Sequence, residues 1–205
     1  MSNDAPLRDG YSDVPAGKIA AVVTYLEMRA PPAPRAPRPE TADLALERFG
    51  PGEAARYKRI YRAIGERWFW FSRLGASDEE VSAVLADPGV MAFAATQGGR
   101  DIGLVEIDLR QEGEAEIVYF GLVDAATGQG LGRRLMDRTL ELAWGQAVRR
   151  VWLHTCTLDH PGAIAFYRRS GFAPYRLAVE VADDPRIAGL LDPDSFPDIP
   201  ITRGA

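Results

Sequence analysis

Cysteine and histidine are scarce: Cys156 is the sole cysteine, and His154 and His160 are the only histidines in 205 residues. One cysteine cannot close an internal disulfide, which points to a reduced, cytoplasmic setting. Positive charge is not in excess either, with 24 Lys and Arg against 29 Asp and Glu and a formal net charge of −5. That balance argues against a nucleic-acid or anionic-membrane partner, since both reward a basic surface. No unbroken apolar run approaches the roughly 20 residues of a transmembrane helix, and Met1 to Gly10 lacks the apolar stretch of a signal peptide. Internal repeats are absent, and no metal-ligand set is read. What remains is 46% hydrophobic and 26% charged, a composition for one α/β core and too short a chain for two.

The order of elements follows from periodicity and punctuation. Residues 1–17 are polar, rich in Asp, Pro and Gly, and read as a loose arm. Ile19 to Met28 is an apolar, β-branched run, a buried first strand. Proline recurs too often across Ala30 to Pro39 for helix or central strand, so this stretch reads as a surface crossing. Gly52 to Arg73 has a helical pattern that runs into Trp68, Phe69, Trp70 and Phe71. Ser77 then offers an N-cap, with acidic first-turn residues, for a short second helix. Val90 to Thr96 and Ile102 to Leu109 read as a hairpin about Gln97-Gly98-Gly99-Arg100, and Ala115 to Val123 as a further strand. An amphipathic helix follows over Leu131 to Gln146, then a strand over Val151 to Leu158, a short helix over Pro161 to Ser170 opened by proline, and a last strand over Phe172 to Val181. The arrangement β-α-α-β-β-β-α-β-α-β implies a mixed α/β fold over residues 18–182, with helices flanking a central sheet. Residues 183–205 form an acidic, proline-bearing tail with one helical turn near Ile187 to Leu191.

Chemistry concentrates at the turn Thr127-Gly128-Gln129-Gly130-Leu131-Gly132-Arg133-Arg134, between a strand and a helix. Missing β-carbons let a ligand reach the backbone there, and the free N–H groups of a helix start bind phosphate. A dinucleotide fingerprint needs glycine where Arg133 stands, and a P-loop needs Gly-Lys-Ser/Thr where this chain has Gly-Arg-Arg. Taken alone, the turn could also be a glycine-rich connection with no ligand.

The turn and its helix are followed by a strand and then by His160-Pro161-Gly162-Ala163-Ile164-Ala165-Phe166-Tyr167-Arg168-Arg169-Ser170-Gly171-Phe172. Together these segments resemble the GNAT superfamily of N-acetyltransferases, whose Gln/Arg-x-x-Gly-x-Gly/Ala motif holds the CoA pyrophosphate. A downstream Asn-x-x-Ala-x-x-x-Tyr-x-x-x-Gly-Phe pattern there adds cofactor contacts and a tyrosine acid. The likeness covers Ala115 to Phe172. Thr127 replaces the usual Gln or Arg, and His160 replaces the usual Asn. The resemblance implies a mixed, mostly antiparallel sheet splayed between the relatives' fourth and fifth strands, with acetyl-CoA as acyl donor and a small-molecule or peptide amine as acceptor. It leaves a homodimer open, since many relatives pair. A non-catalytic CoA-binding module on the same fold is the competing reading.

The resemblance also assigns roles. Gly128, Gln129, Gly130, Leu131, Gly132, Arg133 and Arg134, with Thr127, form the pyrophosphate turn. Leu122 and Val123 present the backbone groups nearest the acetyl carbonyl, and His160, Ala163, Phe166 and Tyr167 complete the cofactor contacts. Tyr167 is the acid for the leaving thiolate. Two strand carboxylates could accept the ammonium proton: Glu116, on a face with Val118, Phe120 and Leu122, and Glu106, on a face with Leu104 and Asp108. His154 and Tyr119 are weaker candidates for that role. Trp68 and Trp70 fall in a region that lines the acceptor pocket in relatives. Cys156, in a buried strand with no strained nucleophile turn, reads as a small hydrophobe.

Overall fold

The computed structural model describes residue 7 and residues 9–33 and 43–203. Residues 1–6, residue 8, much of the proline-rich crossing (34–42) and residues 204–205 lie outside them. Among the described residues, seven strands form one sheet in the order β2-β3-β4-β5-β6-β1-β7, where β1 is Lys18–Met28, β2 Ala45–Arg48, β3 Val90–Gln97, β4 Arg100–Asp108, β5 Glu114–Leu122, β6 Arg150–Cys156 and β7 Ala173–Asp183. Every neighbouring pair is antiparallel except β5 and β6, which run parallel.

The helices are α1 (Ala54–Gly65), α2 (Ser72–Gly75), α3 (Asp78–Ala86), α4 (Leu131–Trp144) and α5 (Ala163–Ser170). Buried Tyr57, Ile60, Tyr61 and Ile64 lie on one stripe of α1 and meet Val81 and Leu85 of α3 over one face of the sheet. On the opposite face, Leu131, Leu135, Leu140 and Ala143 of α4 pack on Ile107, Ile117, Val151 and Leu153. Ser77 caps α3 as read from the sequence, and the Glu80 side chain in turn accepts from the Ser77 N–H. Gly98 and Gly99 both take positive φ in the β3–β4 hairpin, the twist a two-residue turn requires.

Three features depart from the sequence-based reading. First, β2 is a four-residue, mostly exposed strand without alternating hydrophobicity, held by its pairing to β3. Second, the helix predicted through Arg73 ends at Gly65. The Trp70 N–H donates to the Gly65 carbonyl at 3.0 Å, Phe69 adopts a left-handed φ of 57°, and the Trp70 indole packs where a Gly65 β-carbon would sit. Aromatic burial here overrides helix continuation. Third, residues 184–203 fold back on the body instead of forming a tail with a regular helical turn. The Arg186 side chain is 1% exposed, pairs with Asp184 at 2.7 Å and donates to the Ser195, Phe196 and Ile199 carbonyls. Leu191 joins Ile19 and Phe69 in a third apolar cluster.

A bulge in β5 positions the site. Ile107 faces Ile117, but Glu106 faces Tyr119, so Val118 is the extra residue. The β5–β6 ladder holds only from Glu114/Arg150 to Glu116/Trp152, after which the two strands part. This is the splay expected between the fourth and fifth strands, shifted by one in this chain because β2 precedes it.

Candidate active site

A cleft of about 620 Å³ opens in the gap between β5 and β6. At one end lies the glycine turn. Gly128 and Gly130 both have a φ of +77°, a conformation that L side chains rarely adopt. No atom lies within 4 Å of where a Gly128 β-carbon would be, and a Gly132 β-carbon would meet only Leu122 and Phe166, at 3.8 Å. Thr127, Gly128 and Gly132 line the cleft. The start of α4 brings N–H groups that have no partner within the helix, together with its positive dipole end. Side chains contribute less. The Thr127 hydroxyl donates to the Asp124 carbonyl at 2.8 Å and the Gln129 amide to the Ala125 carbonyl at 2.9 Å, so both brace the turn itself. Leu131 is buried in the core, and Arg133 lies 3.8 Å from Asp137. Neither these two nor Arg134 lines the cleft.

The backbone of β5 beyond the bulge is also divided. The Val123 N–H donates to the Ile102 carbonyl at 2.9 Å, and strand alternation then aims the Gly121 groups at β4 as well. The groups of Phe120 and Leu122 point the other way, into the gap. Leu122 therefore keeps its expected position, whereas the Val123 amide is taken by β4, and Phe120 stands in its place.

Tyr167 and Phe166 of α5 line the middle of the cleft, with Ala163 and His160. The Tyr167 ring packs against Phe166, Phe120 and Phe172 at centroid distances of 5.5, 6.4 and 6.1 Å. Its hydroxyl makes no hydrogen bond among the described residues. Burial, reinforced by the negative field of Asp159, pushes the phenol up from its ordinary value, so it stays protonated at neutral pH and can serve as a donor.

The bulge corrects the expected face of Glu116. Since Glu116 pairs with Asp108 and Tyr119 with Glu106, Glu116 shares its face with Tyr119 and not with Phe120 or Leu122. On that face the His154 Nδ1 lies 3.3 Å from Glu116 Oε1, and His154 lines the cleft while Glu116 stands behind it. The Glu116 hydrogen bond raises the imidazole pKa against the opposing effect of burial, with Glu180 and Asp159 adding to the rise. Glu106 sits elsewhere. It is 1% exposed under α1, accepts hydrogen bonds from Tyr57 and Arg73, and does not line the cleft. Its charge holds Arg73, which stacks over Tyr119 at 5.4 Å.

All four aromatics of the Trp68–Phe71 run line the cleft. Trp70 contacts Tyr61 and Tyr119 at 5.4 and 5.3 Å, and Trp68 contacts His160 at 5.0 Å. Asp159, which the sequence reading passed over, ties this wall to β6. It accepts from Trp70 Nε1 at 3.1 Å, from the Thr155 hydroxyl at 2.6 Å and from the Cys156 N–H at 3.0 Å. Its position just before His160-Pro161, where strand gives way to helix, was the available clue. Arg67 bridges the wall to Asp124 beside the glycine turn. Burial pushes the Cys156 thiol up, which opposes a nucleophilic thiolate. Among the described residues no group of His, Cys, Asp and Glu could hold a metal ion, and no helix is long and apolar enough to cross a membrane.

A mixed sheet parted at its parallel pair, with an open glycine turn, a phenol and an imidazole lining the gap, matches the arrangement that the sequence resemblance implies. A sequence model described as the Acetyltransferase (GNAT) family matches residues 57–172, more than half of the chain, and the chain belongs to that family. A mycothiol acetyltransferase of Geodermatophilus obscurus is 31% identical over 193 residues, 93% of this chain but 48% of its own length. The chain thus spans about half of that curated relative. Among solved structures, an acetyltransferase from Thermus thermophilus shares the fold at a TM-score of 0.52 and 24% identity, covering 68% of this chain and 96% of that one. A GCN5-related N-acetyltransferase from Sphaerobacter thermophilus does so at a TM-score of 0.58 and 20% identity, covering 80% and 52%.

Proposed function

We propose that this chain transfers an acetyl group from acetyl-CoA to an amine held in the cleft. One observation carries the reading: the glycine turn, Tyr167 and His154 all line a single cleft, opening where β5 leaves β6. The turn fits a phosphate-bearing arm, because the β-carbon positions of Gly128 and Gly132 are open and helix amides stand behind them. Acetyl-CoA supplies a thioester whose carbonyl carbon bonds the amine nitrogen as the C–S bond breaks, giving an amide and the CoA thiol.

The chain's own groups account for the rest. With Nδ1–H donated to Glu116, the His154 Nε2 is free to accept a proton from the incoming ammonium. The inward-facing N–H groups of Phe120 and Leu122 are placed for the acyl oxygen and the arm behind it. The Tyr167 hydroxyl gives a proton to the departing sulfur and regains one from the nitrogen as the amide forms. One proton is released overall. The acceptor end pairs aromatic walls with the carboxylates of Asp159 and Glu180, a setting that favours a cationic small-molecule or peptide amine.

The test follows CoA release by purified protein against a panel of amines, after calorimetry with acetyl-CoA. Binding followed by amine-dependent CoA release is the expected result. Absence of acetyl-CoA binding at millimolar concentration overturns the reading.

A further inference from the structure

The strand β7 closes one edge of the sheet, and among the described residues it pairs with β1 alone. It runs for 11 residues, nine of them exposed. Native edges are normally blunted by short strands, lysines or prolines. Here the stretch from Arg176 to Ala182 contains none of the last two, and its only bulge lies earlier, at Tyr175. On one face Leu177, Val179 and Val181 are 70%, 45% and 48% exposed. On the other, Arg176 and Glu180 make no ion pair with any described residue.

We infer that β7 pairs antiparallel with β7 of a second copy about a two-fold axis at Ala178. Hydrogen-bond geometry limits the registers. In an antiparallel ladder, residues whose backbone groups point outward oppose one another and those whose groups point inward do likewise, so opposed residues share parity and the axis must pass through a residue position. An axis at Arg176 or Glu180 sets like charges opposite each other, and one at Leu177 or Val179 leaves both charges opposite uncharged residues. An axis at Ala178 sets Arg176 against the partner's Glu180 and Glu180 against the partner's Arg176 on one face. On the other face it sets Leu177 against the partner's Val179 and Val179 against the partner's Leu177. Opposite charges and apolar pairs directly across strands are both stabilising. Glu180 lines the cleft, so the partner's Arg176 reaches its rim, and the two clefts open on the same face of one continuous sheet.

Sedimentation velocity over a concentration series tests this on the wild type, R176E, E180R and the R176E/E180R double variant. The wild type is expected to dimerise. Each single reversal turns two attractive pairs into two repulsive ones and weakens the dimer roughly tenfold or more, and the double variant restores it. Loss of dimer in the singles with rescue in the double is specific to this register, because a merely unfolded variant is not rescued by a second reversal. A monomeric wild type, a dimer indifferent to the single reversals, or a double variant that stays monomeric overturns the inference. None of these results depends on acetyl transfer.

Discussion

Tyr167 and His154 line one cleft, and their environments push them toward opposite tasks. An apolar shell keeps the phenol protonated, whereas a carboxylate makes the imidazole a better proton acceptor. Removing the hydroxyl in Tyr167→Phe should lower kcat by about 100-fold or more and leave acetyl-CoA affinity in calorimetry unchanged, because the ring contacts remain. A pH profile reads the second group. His154 must be neutral to accept a proton, so kcat/KM rises with pH through its pKa. Glu116 raises that pKa, with Glu180 and Asp159 facing the ring as well. Glu116→Gln should therefore move the acidic limb of the profile to lower pH. An unmoved limb would show that another group sets it.

At the scale of elements, the bulge at Val118 and the glycines before α4 do the positioning. The bulge flips the phase of β5, aiming Phe120 and Leu122 into the gap and turning Glu116 toward His154. The glycines differ in what they require. Gly128 holds a positive φ, so Gly128→Ala should cost about 1–2 kcal/mol of stability in denaturant unfolding. Gly132 only keeps space open, and Gly132→Leu should leave stability nearly unchanged while weakening acetyl-CoA binding by tenfold or more, roughly the cost of one lost good contact. Most elements could be read from periodicity and caps: α4 from its apolar stripe, α3 from the Ser77 cap and its acidic first turn, and the hairpin from Gly98-Gly99. By contrast, β2 and the break after Gly65 left no local mark. One depends on pairing with β3 and the other on where the Trp70 indole is buried.

For the molecule as a whole, the C-terminal segment braces the aromatic wall of the cleft from behind. The Arg186 guanidinium lies 5.3 Å from the Phe69 ring, and Phe196 packs on that ring at 4.1 Å, while Phe69 itself lines the cleft. Arg186→Ala leaves Asp184 buried without its partner and should lower the unfolding free energy by about 3 kcal/mol. Equilibrium denaturation checks that value. A loosened wall should also raise KM for the amine more than KM for acetyl-CoA, which steady-state kinetics separates.

The sequence by itself pointed to the family, the glycine turn and Tyr167 as a candidate, because the motifs that carry the resemblance lie close together along the chain. Glycine at positive φ and a helix start leave their mark within a few residues. Which carboxylate meets which imidazole was decided only by the tertiary structure. Glu106 and Glu116 look alike as strand carboxylates, and only the fold buries one with Arg73 and Tyr57 and sets the other behind His154. Asp159 drew no notice before folding brought Trp70 to it across 89 positions of chain. Hydrogen bonds between distant segments carry no periodicity, so only packing shows which carboxylate braces a wall and which meets an imidazole.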